Sequence, residues 1–267
     1  MSKEQVKEAL LSGLEPITMF CQNIYPTNGN PEPIAYRAKM VLNSTLLGTL
    51  TPKEFQVSAD NSERGILLSD RALGYVCEAI EEKLAAGERF LWISLYCPLT
   101  MLTKTDLLKT LEGLFDGDKE KRQKICLELP ARSLYEEPAV LRQALLDLKL
   151  LGVKSALIDY GSEYCPMMRL ASFPFDYVIL DPAVCTLLSR EGGAKAVETL
   201  ISFARNLRVE VIATNVQTET EQTAFYKADC LGNTTGEEPA RLLPLIEFTV
   251  DTSVLDEKEE KQDGDDE

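Results

Sequence analysis

The sequence contains no histidine and no Cys-x-x-Cys pair. Those two absences remove the usual ligand sets of zinc fingers and the partner that a nucleophilic cysteine needs. The seven cysteines (Cys21, Cys77, Cys97, Cys126, Cys165, Cys185 and Cys230) are odd in number, widely spaced and mostly set in apolar runs. They read as reduced, buried thiols of a cytoplasmic protein. No apolar run reaches the ~20 residues of a membrane span, and the first residues, MSKEQVKEALLSGLEP, are too charged for a signal peptide. Positive charge is scarce: 28 Lys and Arg stand against 43 Asp and Glu, for a net charge of −15. With no basic stripe, the surface disfavours nucleic acid and anionic membranes. Phosphate-loop glycine patterns are missing too, and Gly192-Gly193 alone reads as a loop before a helix.

What is present is an ordinary globular composition, 45% hydrophobic and 27% charged over 267 residues, enough for one large α/β domain. Eight apolar runs read as strands: Ile17–Tyr25, Ile34–Leu42, Phe90–Cys97, Ile125–Leu129, Ser155–Tyr160, Tyr177–Asp181, Val209–Asn215 and Asp229–Asn233. Amphipathic helical stretches separate most of them, among them Leu67–Leu84, a run through Val140–Leu148 ended by Gly152, and Ala194–Leu207. Such alternation predicts a parallel sheet covered by helices, and eight strands favour closure into a barrel. Between the first two strands lies only Pro26–Pro31, whose Asn28-Gly29 is a hairpin signal. The expected fold is a modified TIM-like (β/α)8 barrel with an antiparallel first hairpin. Residues 1–15 are expected as an N-terminal helix packed on it, 16–250 as the barrel, and 251–267 as an acidic, disordered tail. Asp256–Glu267 carries eight acids against two lysines, a composition that cannot support a core. Asp116–Lys124 reads as a charged surface loop.

Several segments, in order, match a known pattern. Gln22-Asn23-Ile24 stands where that pattern has Gln-Pro-Ile, and Arg37-Ala38-Lys39 where it has Glu-Ala-Leu. Pro52–Phe55 follows as Pro-x-x-Phe. Glu128 sits in the strand ICLELPA, and Leu151-Gly152-Val153 precedes Ile158-Asp159-Tyr160-Gly161, the place of Asp-Asp-Phe-Gly. Asp176–Asp181 takes the place of Asp-Tyr-x-Lys-Ile-Asp, and Ile212–Glu219 that of Ile-Ala-Glu-Gly-Val-Glu-Thr-Glu. On these segments the chain resembles the EAL domain, the cyclic di-GMP phosphodiesterase family, over roughly Met19 to Phe248.

The resemblance implies a site at the C-terminal mouth of the barrel, where the enzymes use two divalent cations. Against that pattern Arg37 replaces the first glutamate, Ser94 an asparagine, Ile158 an aspartate, Ile179 a lysine, Thr214 and Gln217 two glutamates, and Val41 an arginine that grips phosphate. Glu128, Asp159 and Asp181 remain. A guanidinium repels a cation, so no Mg or Mn cofactor is expected, and Arg37 is expected to pair with Glu128 and Asp159. Asp181, before Pro182, reads as a turn residue, and Trp92 as a buried strand residue. The expected function is a catalytically inactive EAL-like signalling or regulatory module that binds a protein partner or forms a homodimer. A non-hydrolysing cyclic di-GMP receptor and a diverged cyclic-dinucleotide phosphodiesterase are the alternatives.

Overall fold

The computed structural model of the chain describes residues 15–44, 48–50, 63–236 and 243–250. Two long strands, β1 (Glu15–Pro26) and β2 (Ala35–Ser44), form the expected antiparallel pair, with Gln22 opposite Arg37 and Ile24 opposite Ala35. The turn between them is held by Asn28, whose Oδ1 accepts from the Asn30 amide at 3.1 Å. A short β3 (Gly48–Leu50) folds back on the end of β2. Five strands then follow in parallel: β4 (Ile93–Tyr96), β5 (Ile125–Pro130), β6 (Lys154–Tyr160), β7 (Tyr177–Leu180) and β8 (Glu210–Ala213). They pair β2–β4–β5–β6–β7–β8 in order. The two-residue β9 (Gly232–Asn233) pairs with β8 on one side and antiparallel with β1 on the other, closing an eight-strand ring. A last strand, β10 (Leu243–Val250), runs antiparallel along the first half of β1, outside the ring.

The described helices are α1 (Glu63–Ala85), α2 (Leu99–Lys104), α3 (Leu107–Gly113), α4 (Lys119–Arg122), α5 (Pro138–Leu151), α6 (Pro182–Leu187), α7 (Gly193–Asn206) and α8 (Glu219–Lys227). Helix α5 begins with Pro138 at its first position, where a missing N–H costs nothing, and stops at Gly152 in the left-handed conformation, φ 92°. Helix α8 carries a reciprocal cap, Thr218 receiving the Glu221 amide while the Glu221 carboxylate receives the Thr218 amide.

Two apolar compartments result from the period of two along each strand. The outward side chains join the helices in one large core, Ile17, Met19, Leu127, Leu157 and Val178 among the strand residues and Leu73, Leu145 and Ile201 among those of the helices. The inward ones form a second, small cluster inside the ring: Ile24, Ala35, Trp92, Cys126, Ala156, Ile179 and Ile212. Trp92 is 1% exposed, its ring meeting that of Tyr177 edge-on at 5.1 Å. The barrel is therefore filled rather than hollow.

The structure corrects the sequence reading in places. Asp116–Lys124 is not simply a surface loop: Asp118 caps α4, and Arg122, 7% exposed, donates to the carbonyls of Glu112 (2.8 Å) and Leu151 (3.1 Å). The charge run looks solvated in sequence, but the arginine serves as a polar plug between helix ends. Strands β3 and β10 were not anticipated, and the last barrel strand is two residues long rather than five. The expected N-terminal helix, the Pro52–Phe55 segment and the acidic tail lie outside the described residues.

Candidate functional site at the barrel mouth

On β2, β4 and β5 the chain runs on as strand past the apolar cluster, and alternation turns the next inward position toward the C-terminal mouth. On β2 that position is Arg37, on β4 Ser94 and on β5 Glu128, with Arg37 in register with Ser94 and Tyr96 with Glu128. These three residues form one network. Arg37 Nε donates to Glu128 Oε1 at 2.7 Å and its Nη2 to Oε2 at 2.8 Å, a two-pronged pair. The Ser94 hydroxyl lies 2.5 Å from the same Oε1. Both charged side chains are sealed from solvent, at 3% and 2% exposure. Burial alone would raise the Glu128 carboxyl. The Arg37 guanidinium, with Lys39 and the hydrogen bonds from Arg37 and Ser94, overrides it and holds the group down at about 2. The carboxylate is thus ionised at any physiological pH, with both oxygens engaged.

The remaining positions divide in two. Ile158 packs against the inner apolar cluster and Ile179 belongs to it, so the β6–β7 side of the mouth stands on hydrocarbon. Val41 is 1% exposed. Asp159, at the end of β6, has φ 59°, and its charge is felt by Arg132 and Tyr96. Gly161 follows at φ 86°, where an added Cβ would lie 2.7 Å from Leu200 and 2.9 Å from Val184, so only glycine fits. Asp181 is a helix cap rather than a simple turn residue: its Oδ1 receives the Ala183 amide at 2.8 Å, at the start of α6. Thr214 is buried and donates to the Leu180 carbonyl at 2.8 Å. Gln217 is exposed, beside α8, and donates to Asn215 Oδ1 at 2.9 Å, away from the Arg37 network.

Sequence reasoning named Lys39 and Gln22 only within motifs, and did not assign them, Tyr96 or Arg132 to the site they line. Lys39 stands two positions beyond Arg37 on the inner face of β2, and Tyr96 two beyond Ser94. The Tyr96 hydroxyl is 2.7 Å from Arg132 Nη2. Gln22, across from Arg37, is 4% exposed and donates to the Gly236 carbonyl. Its Oε1, and the hydroxyl of the fully buried Thr234, have no hydrogen-bond partner among the described residues. Counting by twos from Arg37 and Ser94 would have found Lys39 and Tyr96. Among the described residues, no three His, Cys, Asp or Glu side chains are grouped as a metal site needs. Nor is any described helix long and apolar enough to cross a membrane.

Comparison with known proteins places this architecture. The EAL domain family model matches residues 5–232. An uncharacterized signaling protein of Caulobacter vibrioides is 30% identical over 131 residues, 49% of this chain and 16% of that protein. The cyclic di-GMP phosphodiesterase RocR of Pseudomonas aeruginosa is 22% identical over 107 residues, 40% of this chain and 27% of its own length. The matches thus span less than a third of these relatives. Among solved structures, the EAL enzyme Bd1971 in its cAMP- and cyclic-di-GMP-bound form superposes with a TM-score of 0.75 at 19% identity, covering 91% of this chain and 66% of that one. A closed barrel with its first strand reversed, and a family match across most of its length, make this chain a member of the EAL domain family.

Proposed function

We propose that this EAL domain does not hydrolyse cyclic di-GMP and acts in the cytoplasm as a signalling or regulatory module that binds a protein partner. The observation that carries the reading is the Arg37–Glu128 pair. A two-cation phosphodiester hydrolase needs a cluster of oxygen ligands that lowers the pKa of a water and offsets phosphate charge. Here Glu128 is neutralised by a guanidinium, Asp181 is taken up as a helix cap, and the inward positions of the neighbouring strands are Ser94, Ile158, Ile179 and Thr214. The donor set does not fit Mg or Mn, and no step is assigned to such an ion. The other charged groups at the mouth are Lys39, Arg132 and Asp159, two cations against one further carboxylate. The seven thiols are unsuited as nucleophiles: burial pushes Cys97 and Cys230 up to about 12, and Cys126 well above its ordinary value.

One observation favours a second reading, a receptor that binds cyclic di-GMP without cleaving it. Arg37, Lys39 and Arg132 converge on one mouth of a chain whose net charge is −15, and Bd1971 is a relative in fold seen with cyclic di-GMP bound. Calorimetry separates the readings. With purified protein and up to millimolar Mg²⁺ or Mn²⁺, the module reading expects no heat of cation binding and no linear dinucleotide product. Dinucleotide binding without turnover would favour the receptor, and turnover would overturn both.

A further inference from the structure

We infer that the groove between α7 and α8, on the outer face of the barrel, docks an amphipathic helix of another protein. The occupant lies antiparallel to both helices, with a carboxylate in its first turn and Lys or Arg in its last. The inference rests on the reading of the chain as a protein-binding module and names the surface and the partner's chemistry.

Helices α7 and α8 each return the chain from the mouth to the start of the next parallel strand, β8 or β9, so they run in the same direction. The groove between them measures about 680 Å³. Two rows of α8 side chains, each spaced by four residues, line one wall. The inner row is Thr220, Ala224 and Ala228, with both alanines half-buried. The outer row is Glu219, Thr223 and Lys227, all exposed. Helix α7 contributes Val197, 2% exposed, and Leu188 stands just before it. The alanines are short, so the floor stays open and apolar while the rim carries charge. A ridge of larger apolar side chains at the same spacing of four packs into such a channel.

Charge on the rim selects the occupant and its direction. On α7, Lys195 and Glu198 pair with each other at 2.9 Å, so that side is balanced. On α8, Glu219 stands in the first turn and Lys227 in the last. At 1.5 Å per residue they lie about 12 Å apart. A helix laid antiparallel brings its own first turn to Lys227 and its last to Glu219. An acidic start and a basic end, the charge order that stabilises any helix, then meet opposite charges. The macrodipoles of α7 and α8 point the same way and favour the same direction. A parallel occupant of that charge order would set acid against Glu219 and base against Lys227. Two copies of a chain at −15 repel, so the helix belongs to a different protein.

The test uses the full-length protein and a fluorescent, hydrocarbon-stapled peptide of about 14 residues, the staple holding it helical. The peptide carries Glu in its first turn, Lys in its last, and Leu spaced by three and four between them. Anisotropy should show saturable binding, about fivefold weaker when Glu and Lys exchange ends. A protein with Glu219→Lys and Lys227→Glu together should reverse that preference. Raising salt from about 50 to 500 mM should flatten it in both proteins. Ala224→Phe fills the floor and should weaken binding about tenfold. The charge exchange alters exposed side chains only, and it keeps the test decisive if Ala224→Phe disturbs folding. The inference is overturned by an absence of saturable binding below about 1 mM, or by one charge preference shared by both proteins. Sedimentation in which the peptide displaces a second copy would overturn it too. The groove lies outside the ring and the metal and turnover assays report on the mouth, so the two proposals fail separately.

Discussion

On β2, on β5 and at the entry to β4 the inward side chain at one level is Ala35, Cys126 or Trp92, and two residues further on it is Arg37, Glu128 or Ser94. The lower level is hydrocarbon packed to exclusion of water. The upper is an ion pair with a hydroxyl, equally sealed but held by charge and direction. The comparison separates what the fold demands from what the mouth permits. The floor must fill the ring, so its residues are interchangeable only by volume. The mouth must satisfy its buried carboxylate, and Arg37 with Ser94 does that for Glu128. Charge at the centre of the mouth is balanced within the protein, guanidinium against carboxylate.

The sharpest way to break the contrast is to move charge into the floor. Ile179→Lys restores the residue type of the family pattern, but at a position 1% exposed among Trp92, Ala156 and Ile212. It should destabilise the protein by about 4 kcal/mol or more, measured by urea unfolding. A loss under about 1 kcal/mol would mean the floor is wet and the two levels alike. A smaller effect follows from unpairing the mouth. Arg37→Ala leaves Glu128 buried without its cation and should lose about 3 kcal/mol, while Arg37→Met with Glu128→Leu should return close to the starting stability. A double variant as unstable as the single one would show the pair to be a net source of stability rather than a mutual neutralisation.

Acid supplies the gentlest probe. Glu128 titrates well below its unfolded value because Arg37 outweighs burial, so its contribution is complete above about pH 4.5 and is lost as pH falls toward 2. Wild-type stability should therefore drop by about 2 kcal/mol more than that of the Met–Leu double variant across this window. Parallel pH curves for the two proteins would remove the pair from the account of acid sensitivity.

The sequence reading located the barrel well for local reasons. Asn28-Gly29 has one good use, and it reversed the first strand as expected. Helix periodicity placed α1, α5 and α7 within a few residues, and Gly152 ended α5 as read. Arg37 and Glu128 were legible as candidates because both lie in apolar runs where a charge needs a reason. What was illegible depends on distance in space. Strand β10 carries Pro244 and follows a polar stretch, so nothing nearby distinguishes it from a loop until β1 supplies its ladder. Arg122 looks solvated until the carbonyls of Glu112 and Leu151 arrive from other elements. Ile179 and Gln217 were grouped with the mouth by motif order. Their depth, one in the floor and one beside α8, is set by strand length and helix start, which motif order does not encode.

Strand β1 meets β2 almost at once along the chain, but its partners on the other flank are Gly232–Asn233 and Leu243–Val250, more than about two hundred residues later. Contacts of that separation form slowly, since a long loop must close before any reward arrives. A nascent chain leaving the ribosome therefore carries its first hairpin with one side unzipped until residues 232–250 have been made. Any truncation that stops short of residue 232 yields an open ring with Ile24 laid bare, and the cell's proteases would meet it in that state.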